Sequence, residues 1–132
     1  MNIVLPDCHV LPNNIDFPPL ATNNFAWQQF LGLNEEELKE HCSRTHCVVT
    51  FNTPINADAL DSMSKLELLV VANHDISLID MQTVEKNNVS VISIPDLNPS
   101  QFDINNPQHA QQLCNTVVEV IDHYMLQSKS EN

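Results

Sequence analysis

Residues 47–94 decide the fold, and they read CVVTFNTPINADALDSMSKLELLVVANHDISLIDMQTVEKNNVSVISI. Two apolar runs and one run that alternates apolar with small polar residues predict β-strands, and Glu67 is the single charged residue inside them. A run that is apolar at nearly every position is typical of a strand covered on both faces. Helical patterns fill the gaps, and Asn56 is a good N-cap for the first helix. The strands are expected at Cys47–Thr50, Leu66–Ala72 and Val89–Ile94, and the helices at 56–61 and 76–86.

The same alternation continues on both sides of this stretch. Strands are expected at Asn2–Leu5 and Phe25–Phe30, and the capping-box pattern of Asn34 with Glu37 predicts a helix to about residue 43. Pro107 opens the longest helix, predicted at about 107–126. Strands that alternate with helices predict a parallel sheet with helices on both faces. Five strands in 132 residues therefore predict one domain spanning residues 1–132, an α/β fold with a flavodoxin-like, doubly wound sheet of order 2-1-3-4-5 and a long C-terminal helix.

The composition excludes several classes of function. The chain carries 17 acidic and 5 basic residues, a formal net charge of -12, and so negative a surface repels nucleic acids and anionic membranes. It has one glycine, whereas the glycine-rich loops that hold dinucleotides or nucleoside triphosphates need several. The sequence therefore predicts no nucleic-acid partner, no membrane partner and no cofactor.

The N-terminal region and the cysteines bear on the compartment. The first basic residue is Lys39, and residues 1–38 contain no continuous apolar segment of the kind that a secretory signal needs. A cytoplasmic protein is therefore expected, in which all four cysteines stay reduced. Met1 and the polar stretch at 128–132 are typical of natural chain ends, which predicts a stand-alone domain.

Two histidines and two cysteines stand close together between His41 and Cys47. Zinc sites use these ligands, but usually with a wider and more regular spacing within each pair. Cys47 begins a strand whose alternate residues face opposite ways, so its side chain is expected to point into the core. We therefore favour core cysteines and solvated histidines over a metal site.

Several short motifs, taken in order, are similar to a known family. They are Thr53-Pro-Ile-Asn-Ala57 with Leu60, Leu66–Ala72, Ile79-Asp80 and Val89–Pro95. Together they resemble the N-terminal, substrate-side domain of the D-isomer-specific 2-hydroxyacid dehydrogenases, nearest the glycerate dehydrogenase or hydroxypyruvate reductase branch. The resemblance covers about residues 1–95. It implies a flavodoxin-like domain that is paired, in the family, with a second domain that supplies the NAD fingerprint and the Arg, Glu and His that act on the substrate.

Two departures from the family bear on catalysis. The 132 residues contain no counterpart of the NAD-binding domain. In the family, the loop after the fourth strand carries a glycine whose backbone approaches the substrate carboxylate, and Asp75 stands at that position here. A carboxylate side chain would repel an anionic substrate and block the close approach of the backbone. The resemblance therefore implies a scaffold kept without its original chemistry, with no catalytic residues of its own.

Side chains at the ends of two strands are the candidate binding residues. Cys8 and His9 follow the first strand, and Asn73, His74 and Asp75 follow the fourth. Ligands of doubly wound sheets bind in the crevice outside the carboxyl ends of the strands. These five residues are therefore candidates for a small-molecule site, and the alternative is that they are ordinary loop residues.

The C-terminal helix carries one apolar stripe. Leu113, Val117, Ile121 and Tyr124 recur on it at three- and four-residue spacing. Such a stripe has to be covered, because each fully buried aliphatic side chain contributes roughly 1.5–3 kcal/mol. The helix either folds back onto the sheet or pairs with its copy in a second subunit, and the two can coexist. In the second arrangement these four residues are the interface candidates.

From these observations we expect a non-catalytic, dehydrogenase-derived binding or interaction domain. Its expected partner is a second copy, forming a homodimer, or another protein. The alternative is enzymatic, in which the domain is the substrate-side lobe of an oxidoreductase assembled with a separate NAD-binding chain. A third alternative is a small-molecule sensor that uses the loop around His74.

Overall fold

A computed structural model describes residues 2–7, 26–30, 32–51, 53–72, 79–94 and 106–130 of the chain. In this part of the chain, two strands come first, and helices and strands alternate after them. In chain order the elements are β1 (Asn2–Leu5), β2 (Ala26–Gln29), α1 (Glu35–His41), β3 (Cys47–Thr50), α2 (Ala57–Ser62), β4 (Leu68–Val71), α3 (Met81–Lys86), β5 (Ser90–Ser93) and α4 (Pro107–Ser130).

The described strands form one sheet in the order β2-β1-β3-β4-β5, and every neighbouring pair is parallel. The register places Cys47 beside Leu68, and Leu68 beside Ser90. Parallel strands need crossover connections, which α1, α2 and α3 supply for the later strands. The predicted α/β fold, with its sheet order 2-1-3-4-5 and its long C-terminal helix, is therefore confirmed.

The sheet separates two hydrophobic cores, because alternate residues of each strand point to opposite faces. On one face, Ile3 and Leu68 pack in a cluster with side chains of α4. On the other face, Val4 and Leu69 pack in a cluster with side chains of α1, α2 and α3. All residues of β3 and β4 are buried, which explains why their sequences are apolar at nearly every position.

Side-chain caps determine where the first two helices begin. The Asn34 Oδ1 atom accepts a hydrogen bond from the backbone N–H of Glu37 at 2.8 Å, and Glu37 Oε1 accepts one from the N–H of Asn34 at 3.2 Å. The predicted capping box is therefore present at α1. Asn56 caps α2 in the same way, accepting from the N–H of Ala59 at 2.9 Å.

Helix α3 begins later than its sequence pattern suggested. The pattern predicted a helix from residue 76, whereas α3 begins at Met81, because the Asp80 side chain caps it by accepting from the N–H of Thr83 at 3.1 Å. Ile79 is not helical and forms an isolated parallel bridge with Ile55. Residues 76–78 lie outside the described part of the chain.

The predicted end of α3 at the two asparagines is confirmed. Asn87 is the C-cap, and the following Asn88 has a φ of 57°. This is the left-handed region, which is uncommon for residues other than glycine but is tolerated by asparagine.

Helix α4 folds back onto the sheet. Leu113 is 2% exposed, Val117 and Ile121 are fully buried, and all three pack with strand side chains, while Tyr124 is partly buried at the margin of that cluster. This is the first of the two arrangements that the apolar stripe left open. The four interface candidates thus lie in or against the chain's own core. Self-association of two copies does not follow from this packing and stays a prediction. None of the helices in the described residues has the length and apolar character that a membrane crossing requires.

Candidate functional site

The candidate site is the edge of the sheet at which the parallel strands have their carboxyl ends, because ligands of doubly wound sheets bind there. Asp7 lies just past the end of β1, Phe51 follows β3, and Ala72 follows β4. β3 lies between β1 and β4 in the sheet. The structure therefore brings the ends of these three strands together along one margin, which we call the carboxyl edge.

Asp7 is the buried carboxyl group of this edge. Its side chain is only 1% exposed, and its Oδ1 atom accepts a hydrogen bond from the backbone N–H of Phe51 at 3.1 Å. The two residues are 44 positions apart in sequence, so this bond ties the turn after β1 to the loop after β3. The sequence pattern predicted a strand that ends at Leu5 and did not single out Asp7. An acidic residue directly after an apolar strand was the signal that could have identified it.

Two threonines fold the loop that follows β3. The Thr50 hydroxyl donates to the carbonyl oxygen of Thr53 at 2.9 Å and accepts from the N–H of Thr53 at 3.0 Å. Thr50 is fully buried, so this pair closes the turn against the end of the strand. Ile55 then receives a hydrogen bond at its carbonyl oxygen from the N–H of Asp80, 3.2 Å away. The loop is thus fixed both to β3 and to the start of α3.

The five binding candidates from the sequence, Cys8, His9, Asn73, His74 and Asp75, lie outside the described residues. The structure does describe the residues from which both segments start. The N–H of Ala72, immediately before Asn73, donates to the carbonyl oxygen of Thr50 at 2.8 Å, and Asp7, immediately before Cys8, contacts Phe51. Strand β3 lies between β1 and β4, and neighbouring strands are about 4.8 Å apart, so the ends of β1 and β4 are about 10 Å apart. Both candidate segments therefore start from the same edge of the sheet.

Three basic residues of the described part of the chain lie away from this edge. Arg44, Lys65 and Lys86 precede β3, β4 and β5, which places them toward the opposite, amino-terminal edge of the sheet. Lys39 reaches two carboxylates, Glu35 at 3.8 Å and Asp58 at 3.9 Å. Among the described polar side chains at the carboxyl edge are the Thr50 hydroxyl and the Asp7 carboxyl group. Arg44, Lys65 and Lys86 are at the wrong edge of the sheet to hold an anionic substrate there.

The cluster of histidine and cysteine between residues 41 and 47 is dispersed by the fold. Cys47 packs in the core beneath α4, as predicted, whereas Cys42 packs in the core on the other face of the sheet. His41 is exposed and contacts the ring of Phe30, with the ring centres 4.8 Å apart. The Nδ1 atom of His46 accepts a hydrogen bond from the N–H of Asn2 at 3.1 Å. Across the described residues, no three histidine, cysteine or acidic side chains come together as a metal site.

Both of these cysteines are held as neutral thiols. Burial raises the pKa of Cys42 from 9.0 to about 11, partly offset by a hydrogen bond with Thr45. Burial raises the pKa of Cys47 further, and the negative charge of Glu67 adds to the effect. Nucleophilic attack and metal binding need the thiolate. Neither cysteine is therefore suited to either role at neutral pH.

Comparison with protein families gives one match, which covers most of the chain. Residues 10–102 match the family described as D-isomer specific 2-hydroxyacid dehydrogenase, catalytic domain. The matched range contains the elements from β2 to β5 and ends before α4. A search of curated proteins gives no match to this chain.

Solved structures with a similar fold include three enzymes. An acyclic imino acid reductase in complex with NADPH and D-Arg is 21% identical, with a TM-score of 0.53 over 70% of this chain and 30% of that one. The NAD⁺-bound 3-phosphoglycerate dehydrogenase of Entamoeba histolytica is 16% identical, with a TM-score of 0.51 over 70% of this chain and 32% of that one. The D-lactate dehydrogenase of Escherichia coli is 12% identical, with a TM-score of 0.54 over 75% of this chain and 32% of that one. At these identities the likeness shows the fold, and the chain spans about a third of the length of these enzymes.

Proposed function

Since this chain belongs to the D-isomer specific 2-hydroxyacid dehydrogenase family, through the catalytic, substrate-binding domain, we propose that it is a non-catalytic member that works by binding. Its partner in this proposal is a second copy of the chain or another protein. A small ligand at the carboxyl edge is the remaining choice. In this proposal, the chain by itself does not catalyse hydride transfer from a nicotinamide cofactor.

The observation that carries this proposal is the position of α4. The family match ends at residue 102, and α4 begins at Pro107. Its stripe of Leu113, Val117 and Ile121 covers one face of the sheet, so both faces are closed by the chain's own helices. A domain that closes both of its cores needs no cofactor domain for its stability, which suits a module that acts by binding.

The carboxyl edge gives independent support. A 2-oxo acid substrate is an anion, and an anion is held by cationic side chains or by closely approaching backbone N–H groups. The described edge carries the Asp7 carboxyl group, and the sequence has Asp75 where the family has glycine. The single glycine of the chain, Gly32, lies before α1 and not in this loop. These residues disfavour the substrate that the family binds here.

The proposal is tested by assaying the purified chain with NADH and a panel of 2-oxo acids. Hydroxypyruvate comes first in the panel, because the motifs at residues 53–57 and 66–72 resemble the glycerate dehydrogenase branch. We expect no oxidation of NADH above the rate without protein, and no change in NADH fluorescence on titration with the chain. An active full-length dehydrogenase of the family is the positive control. Turnover by the chain alone would overturn the proposal.

A second candidate function has a specific observation in its favour. The ends of β1, β3 and β4 meet at the edge where relatives of this fold bind ligands, so the scaffold of a substrate-side lobe is intact. In this candidate, a separate NAD-binding chain completes the enzyme. Mixing the chain with the isolated NAD-binding domain of a family dehydrogenase would then give NADH-dependent turnover. The Asp75→Gly variant should turn over faster than the wild type in that mixture, because it removes the repelling carboxylate.

The same proposal places the chain in the cytoplasm. Cys42 and Cys47 are buried thiols outside any disulfide bond, which is the usual state of cysteines in a reducing compartment.

A further inference from the structure

We draw no further inference here: the strongest candidate, the partly buried outer edge of β5 at Ser90–Ser93, has strand β4 on one side only among the described residues, and nothing in the structure shows what covers the other side.

Discussion

At the scale of single residues, Asp7 is the group that joins the carboxyl ends of two strands. Its buried Oδ1 atom accepts from the N–H of Phe51 at 3.1 Å. We expect Asp7→Ala to lower the free energy of unfolding by about 1–3 kcal/mol, because the buried N–H group loses this acceptor. Asp7→Asn keeps an oxygen at the same position and should lose clearly less. Urea denaturation of the three proteins measures both differences.

The comparison between the two variants isolates the hydrogen bond from the burial of the side chain. Asparagine has nearly the same size as aspartate, and alanine is smaller, so neither variant overpacks the turn. If Asp7→Asn loses as much stability as Asp7→Ala, the bond to Phe51 is not what makes the residue important. If neither variant loses stability, the tie between the two loops does not exist in solution.

Cys42 gives a prediction about alkaline pH. Burial raises the pKa of its thiol from 9.0 to about 11 in the folded chain. The folded state therefore binds the proton more tightly than the unfolded state does, so the stability from this group is fully present below pH 9.0 and is lost as the pH rises toward about 11. We expect the midpoint of urea unfolding to fall through this window.

The matched variant for this pH series is Cys42→Ala, with each protein compared to its own midpoint at neutral pH. The variant should lose less stability through the alkaline window, because one of the two shifted thiols is gone. Cys47 shifts in the same direction, so some loss should remain. Identical slopes for both proteins would show that the Cys42 thiol is not buried as described.

At the scale of elements, α4 is held by the side chains that cover the sheet. Leu113 and Ile121 are at most 2% exposed. We expect Leu113→Ala and Ile121→Ala each to lower the free energy of unfolding by about 2–5 kcal/mol, because each leaves a cavity in this core. The control is Gln112→Ala on the exposed side of the same helix, which should change stability by less than about 0.5 kcal/mol. Stability losses that are equal at positions 112 and 113 would contradict this packing.

The position of the stripe also changes how self-association has to be tested. For a dimer formed through the apolar stripe of α4, the direct test would be a charged residue at Val117 or Ile121. Both side chains are fully buried within one chain, so a charge there would unfold the chain before it reported on a dimer. Substitutions on the exposed side of α4, such as Glu119→Lys, leave the core intact and are the useful ones.

Elements were easier to predict than the contacts between them. The runs in β3 and β4 were predictable because both faces of these strands are covered, which requires apolar residues at every position. The start of α3 was not predictable. Ile79 fits the apolar pattern of a helix, but in the structure it lies in an extended segment and bridges Ile55. The bond between Asp7 and Phe51 joins residues 44 positions apart, and no local pattern carries such a pairing.

For the candidate site, the sequence predicted which strand ends lie side by side, and binding by the loops that follow them stays a prediction. The rule that parallel strands share a carboxyl edge placed the loops after β1 and β4 together, and the positions of Asp7 and Ala72 agree with that placement. The turn made by Thr50 and Thr53 was not predicted, since two hydroxyl residues at this spacing are common in loops of every kind. The role of this turn, which closes the loop against the end of β3, is apparent only from the structure.

At the scale of the whole molecule, burial and charge both act against self-association at low ionic strength. Both sheet faces are covered within one chain, so no core side chain among the described residues demands a second copy. The formal net charge of -12 means that two copies repel each other at low ionic strength. Salt screens this repulsion over a Debye length of about 10 Å at 0.1 M. Any homodimer should therefore strengthen as salt is added.

The mass in solution tests this directly. If the partner is a second copy, light scattering should give twice the chain mass of 14.9 kDa, with the dimer fraction rising between low and moderate salt as the repulsion between the two negative chains is screened. At the same salt concentration, Glu119→Lys should keep the dimer mass if the dimer forms away from the exposed side of α4, and should lose it if that side is the interface. A monomer at every salt concentration would exclude the homodimer, and the binding function would then have to rest on another protein or on a ligand at the carboxyl edge.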